Sequence, residues 1–80
     1  MRIYDQENDR LLPAVTIYLT PDEMHELADS ARDLYEHPEH HHSHVVNRDC
    51  TVEVTIAVYT RENWDQFDDK SREILSEALA

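Results

Sequence analysis

Two periods alternate along this chain. Val15, Ile17 and Leu19 alternate with Thr16, Tyr18 and Thr20, a period of two that places the two sets on opposite faces of a strand. The same period returns over residues 51–59. Val52, Val54, Ile56 and Val58 share one face there, and Thr51, Glu53, Thr55, Ala57 and Tyr59 share the other. Between these strands the spacing lengthens to three and four. Met24, Leu27, Ala28, Ala31, Leu34 and Tyr35 make one apolar helical stripe, and His25, Glu26, Asp29, Arg32, Asp33 and Glu36 lie opposite. Thr20-Pro21-Asp22-Glu23 is a strong helix start, with a capping threonine, proline at the first helical position and glutamate three residues after the cap. Pro38 biases its predecessor out of the α region, so this helix is predicted to end near Glu36 or His37.

Weaker signals fill in the rest. Residues 2–5 and 10–20 read as strands around a polar turn, in which Asn8 and Asp9 tolerate left-handed backbone without glycine. Pro13 lacks a donor, so pairing in the second of these is expected to start at Ala14 or Val15, or else Pro13 lies on an edge. Residues 43–46 read as a further strand, followed by a turn at Asn47, Arg48 and Asp49. Thr60 with Asn63 opens a second helical region, in which Trp64, Phe67, Ser71, Ile74, Leu75 and Ala78 keep helical spacing. Asp68 and Asp69 are expected to break it into a short helix and a longer one from about Lys70. The order β-β-α-β-β-α predicts one small α+β domain over residues 1–80. It would carry an antiparallel sheet of three to four strands with two helices packed on one face, the core being formed by the two helical stripes and the Val52, Val54, Ile56 and Val58 face. The other face, with Thr16, Tyr18, Thr55, Ala57 and Tyr59, is a candidate for pairing with another protein or another copy.

Composition narrows the function. Eighteen acidic residues against seven basic ones give the 80-residue chain a formal net charge of −11. Nucleic acid and anionic membrane are therefore disfavoured as partners, since phosphate binding needs a basic face. Glycine is absent, which removes every glycine-rich phosphate loop and the G-x-S-x-G nucleophile elbow. A lone cysteine, Cys50, makes neither an intrachain disulfide nor a multi-cysteine zinc site. No apolar run approaches the roughly 20 residues that span a bilayer. The first residues lack an apolar signal core, so the cytoplasm is the expected location. A chain this short builds a modest core and often gains stability from a partner, a metal or a second copy.

The unusual feature is a run of five histidines within residues 37–44, at His37, His40, His41, His42 and His44. If the segment is extended, His40, His42 and His44 share one face and two or three imidazoles reach a common ion, zinc or nickel for preference. His25, Glu39 or Cys50 could add a ligand. A solvated loop is the plain alternative, and a pH-sensitive contact surface is the third, because nearby carboxylates favour imidazolium.

Catalytic arrangements are not marked. Cys50 has no oriented base or oxyanion-stabilising pocket signalled near it. Asp68-Asp69-Lys70 has the D-x-K order of some metal-dependent nucleases, but in a helical region of an acidic chain. The HxHxH order lacks the distant ligands that metallohydrolases add. The expectation is a non-enzymatic, acidic protein-binding module that blocks or captures a basic protein, as an immunity protein, antitoxin or inhibitor does. Its contact residues would be Asp22, Glu26, Asp29, Asp33, Asp65, Asp68 and Asp69, joined by Tyr18 and Tyr59, whose rings could pack on a partner. The alternative is a histidine-rich transition-metal binder, a buffer, sensor or metal-bridged homodimer, built on His40, His42 and His44.

Overall fold

A computed structural model describes residues 1–79, with side chains through Ser76. Ala78, at the end of the second predicted stripe, lies outside the described side chains. The fold is α+β. Strands β1 (Tyr4–Asp5) and β2 (Arg10–Leu11) precede helix α1 (Pro21–Glu36), a 3-10 turn (Pro38–His40), strands β3 (His42–Val46) and β4 (Glu53–Ala57), a second 3-10 turn (Trp64–Gln66) and helix α2 (Asp69–Leu79). Among the described residues the strands form two separate antiparallel pairs, β1 with β2 and β3 with β4. The predicted sheet of three to four strands is thus not what these residues make. The difference lies in residues 12–20, expected to be strand. Only Arg10 and Leu11 pair, and Leu12 adds one bond from its N–H to the Ile3 carbonyl at 2.8 Å. Pro13 has no N–H to continue that ladder, which stops there. No described helix is long and apolar enough to cross a membrane.

The chain divides into two compact units, residues 1–18 with 67–80, and residues 19–66. In the first, Asp5 organises the turn between β1 and β2. Its carboxylate accepts from the Glu7 and Asn8 N–H groups and from the Asn8 side chain, which holds it below the ordinary carboxylate range. Asp9 takes the left-handed φ of 50° that the absence of glycine leaves to Asp or Asn. It accepts from the Tyr4 hydroxyl at 2.5 Å and pairs with Lys70 of α2 at 3.0 Å. Phe67 and Leu75 are buried in this unit. Asp68 caps α2 by accepting from the Ser71 N–H at 2.8 Å.

In the second unit α1 starts as its sequence demands. Thr20 Oγ1 accepts from the Glu23 N–H, and Glu23 Oε1 accepts from the Thr20 N–H. The buried face of α1 is rotated from the predicted one. Leu34 is buried, Glu23, Leu27 and Ser30 are partly buried, and Met24, Ala28, Ala31 and Tyr35 are exposed. Ser30 occupies the inner face because its hydroxyl meets the Ser43 hydroxyl of β3 at 3.1 Å, a polar contact that apolar periodicity cannot register. β3 pairs with β4 from His42 opposite Ala57 to Val46 opposite Glu53. Ser43 and Val45 turn inwards, where Val45 is buried, while His42, His44, Glu53, Thr55 and Ala57 are exposed. Val52, predicted in the core, is 62% exposed because it lies in the turn before β4. Asn47 closes that turn, its Oδ1 accepting from the N–H groups of Thr51 and Val52.

Asn63 is the buried polar residue of this unit, at 3% exposure. Its Nδ2 donates to the carbonyls of Pro38 at 3.0 Å and Val58 at 2.9 Å. Its Oδ1 accepts from the Thr60 N–H at 2.8 Å, and the Thr60 hydroxyl accepts in return from the Asn63 N–H. Replacing Asn63 by Ala strands two carbonyls and one N–H. Urea unfolding of Asn63→Ala is expected to show a loss of about 2–4 kcal/mol, whereas a loss under about 1 kcal/mol means that water replaces the amide.

Candidate histidine and carboxylate site

The histidine run is not one extended segment. Pro38 opens a 3-10 turn, and His41 at φ 78°, ψ −59° redirects the chain before β3 begins at His42. Two backbone bonds and one side chain pin it. The His41 N–H donates to the Pro38 carbonyl, the Val58 N–H donates to the His41 carbonyl, and Asn63 holds Pro38. Extended alternation through His40, His42 and His44 is therefore interrupted between the first and the other two. His42 and His44 do share a face of β3, with ring centroids 5.0 Å apart. The ring of His42 also meets that of His41, Nδ1 to Nδ1 at 2.9 Å. The His44 Nδ1 lies 2.8 Å from both the Thr55 hydroxyl and the Glu53 carboxylate.

His40 sits instead with His37 and Glu39. Their three candidate ligand atoms lie within 4.8 Å of one another. The two imidazoles stack at 5.0 Å, and His37 Nδ1 is 3.4 Å from Glu39 Oε1. Two tetrahedral zinc ligands with bonds of about 2.0–2.1 Å stand roughly 3.3 Å apart, so that spacing suits ion coordination as well as an ion pair. The His40 Nδ1 meets Asp33 Oδ2 of α1 at 2.8 Å. A carboxylate only accepts, so Nδ1 carries the proton, and in the neutral imidazole Nε2 keeps the lone pair that a metal needs. His37 and Glu39 were subordinate in the sequence. The signal that marks them is H-x-E-H at the C-terminus of a helix, wound into one short turn by Pro38.

The acidic residues have different surroundings. Asp22, Glu26, Asp29 and Asp33 are all exposed on α1. Spaced by four, three and four, they form a stripe roughly 16 Å long. Asp29 faces His25 at 3.7 Å, and Asp33 is engaged by His40. Asp65 is exposed in the second 3-10 turn. Asp68 and Asp69 serve α2, the first as its cap and the second paired with Arg72 at 2.5 Å. Lys70 pairs with Asp9 at 3.0 Å. Tyr18 is 91% exposed, whereas Tyr59 lies beyond the end of β4 and is partly buried. Met24, Ala28, Ala31 and Tyr35 form a second exposed stripe, apolar, which the sequence reading placed in the core. An open depression near the imidazoles is lined by Pro38, Glu39, Thr60, Glu62, Asn63 and Gln66. No family model, curated protein or solved structure matches the chain.

The His40 pKa is raised above 6.5. The hydrogen bond to Asp33 is the main cause; partial desolvation opposes it, and the charges of Asp33 and Glu39 add to it. A raised folded value means that the stabilisation is full below the unfolded pKa and disappears as pH rises through the folded one. His40→Ala is therefore expected to lower the melting temperature most below about pH 6 and least near about pH 8. In an NMR titration Asp33→Asn should return the His40 midpoint to the ordinary imidazole range. An Asp33→Asn midpoint equal to that of the unaltered chain would show that this contact is not made.

Proposed function

We propose that the chain is an acidic protein-binding module, of the immunity, antitoxin or inhibitor kind, whose α1 stripe docks on a basic protein surface. The observation that carries this reading is the placement of Asp22, Glu26, Asp29 and Asp33 on one solvent-exposed line of a capped helix. A helix holds those charges at fixed spacing, so little order is lost when they meet a cationic face. Net charge of −11 adds long-range attraction for such a face. Asp65 extends the acidic surface; Asp68 and Asp69 contribute charge while they hold α2. The test is the association rate with a bound basic protein. It is expected to fall about tenfold or more between roughly 0.05 and 0.5 M salt. Asp22→Asn, Glu26→Gln and Asp29→Asn combined should flatten that dependence, with Asp33 left to hold His40. A rate insensitive to both salt and these substitutions reduces the charge to a role in solubility.

A second reading, transition-metal binding, is favoured by the His37, Glu39 and His40 group and by the Asp33 contact that orients His40. Imidazole and carboxylate together suit zinc, and imidazole suits nickel. Calorimetry with each metal is expected to give submicromolar affinity that is lost in His37→Ala and in His40→Ala. Substituting His42 and His44 should leave it nearly unchanged. Millimolar binding, or equal losses from all four histidines, removes this reading.

A further inference from the structure

Residues 14–20 run from the first hairpin to α1 without helix, turn or bend. Among the described residues, no backbone hydrogen bond involves residues 13–19. All side chains from residue 14 to residue 18 are exposed, unevenly so. Tyr18 is 91% exposed, against 52% for Val15 and 44% for Ile17, and Leu19 is partly buried. Val, Thr, Ile and Tyr are residues that fit a pleated sheet. A segment of this composition with unpaired N–H and C=O groups is a template for another strand.

We propose that this segment pairs antiparallel with the same segment of a second copy, across a two-fold axis at Ile17. Three features select a second copy as the occupant. The first is charge. Two chains of −11 repel, yet residues 11–21 form the longest stretch of the sequence without an Asp, Glu, Lys or Arg. Copies meet there with the least like-charge contact. The second is the placement of proline. Pro13 and Pro21 lie at equal distances on either side of Ile17. In the register centred on Ile17, Pro13 of one copy faces Pro21 of the other, where α1 begins, so both residues that lack a donor lie just outside a ladder of residues 14–20. A foreign strand has no such built-in match. The third is the side chains. The register sets Val15 against Leu19, Ile17 against its own counterpart, and Thr16 against Tyr18. The odd-numbered apolar residues of both copies then share one face, and the hydroxyl-bearing ones share the other.

The self-complementary contact is what a two-fold dimer requires. It also suits a chain whose described buried apolar residues are only Leu34, Val45, Phe67 and Leu75. The test reads self-association and not capture of a basic protein, so its failure is distinguishable from failure of that reading. Sedimentation equilibrium of the full chain at about 100 µM is expected to give twice the 9.5 kDa chain mass, and Ile17→Lys should abolish the dimer with an unchanged circular dichroism spectrum. On a Cys50→Ser background, Ile17→Cys should oxidise to a covalent dimer, since residues paired across the axis have Cα atoms about 4.5–5.5 Å apart. Ala14→Cys should not, because its counterpart lies opposite Thr20. A monomeric unaltered chain overturns the proposal and leaves a foreign strand as the occupant. So does an Ile17→Lys dimer, or cross-linking through Ala14→Cys at least as fast as through Ile17→Cys.

Discussion

The side chain of Asn63 is the constraint on which the second unit depends. Its amide joins the Pro38 and Val58 carbonyls, and its Oδ1 takes the Thr60 N–H. Those partners come from the turn after α1 and from the chain leaving β4, segments far apart in sequence. At 3% exposure, each of these bonds replaces one to water that the burial forbids. Asn63 thereby fixes where Pro38 lies relative to the hairpin, and Pro38 sets the short turn that brings His37, Glu39 and His40 together. A histidine run that composition alone would leave as a solvated loop is divided into a pinned turn and one strand face.

The C-terminus of α1 adds a second layer of order. Its last carbonyls carry the negative end of the helix dipole, with no basic side chain in the last turn to meet it. The residues that follow, His37 and His40, are the groups able to supply positive charge there. Asp33 is common to both functional readings. It closes the acidic stripe, and it holds the Nδ1–H of His40. Protonation of His40, or an ion on its Nε2, would offset the charge at that end of the stripe while leaving Asp22, Glu26 and Asp29 untouched. The two readings are therefore coupled through one carboxylate rather than located on unrelated surfaces.

Local chemistry was legible in the sequence where a few neighbouring residues determine it. The Thr20–Glu23 capping box, the helix ending before Pro38, the left-handed Asp9 and the break at Asp68 and Asp69 are each set within a few residues. Long-range choices were not legible. Ser30 lies on the inner face of α1 because Ser43, thirteen residues on, offers a hydroxyl. Nothing in helical periodicity separates that from a stripe through Met24 and Tyr35. The strand pattern over residues 14–19 was visible, but alternation reports fitness for a ladder and not the presence of a neighbour. In the candidate site, the spacing of His42 and His44 survived because β3 is regular. His40 was displaced from them by one residue, His41, whose positive φ no composition rule assigns to histidine.

The charge of the chain ties these surfaces together. With His neutral, −11 on 80 residues strengthens the pull of α1 on any cationic face and, equally, the repulsion between copies. His40, whose pKa the Asp33 hydrogen bond raises, takes up a proton at a higher pH than an ordinary imidazole and so moves this balance. Added protons weaken attraction to a basic partner and also ease contact between two copies. The same titration would thus act with opposite sign on the two proposed kinds of association. An uncharged segment such as residues 14–19 feels it only at a distance, through screened fields, whereas the acidic stripe feels it directly at Asp33 beside His40.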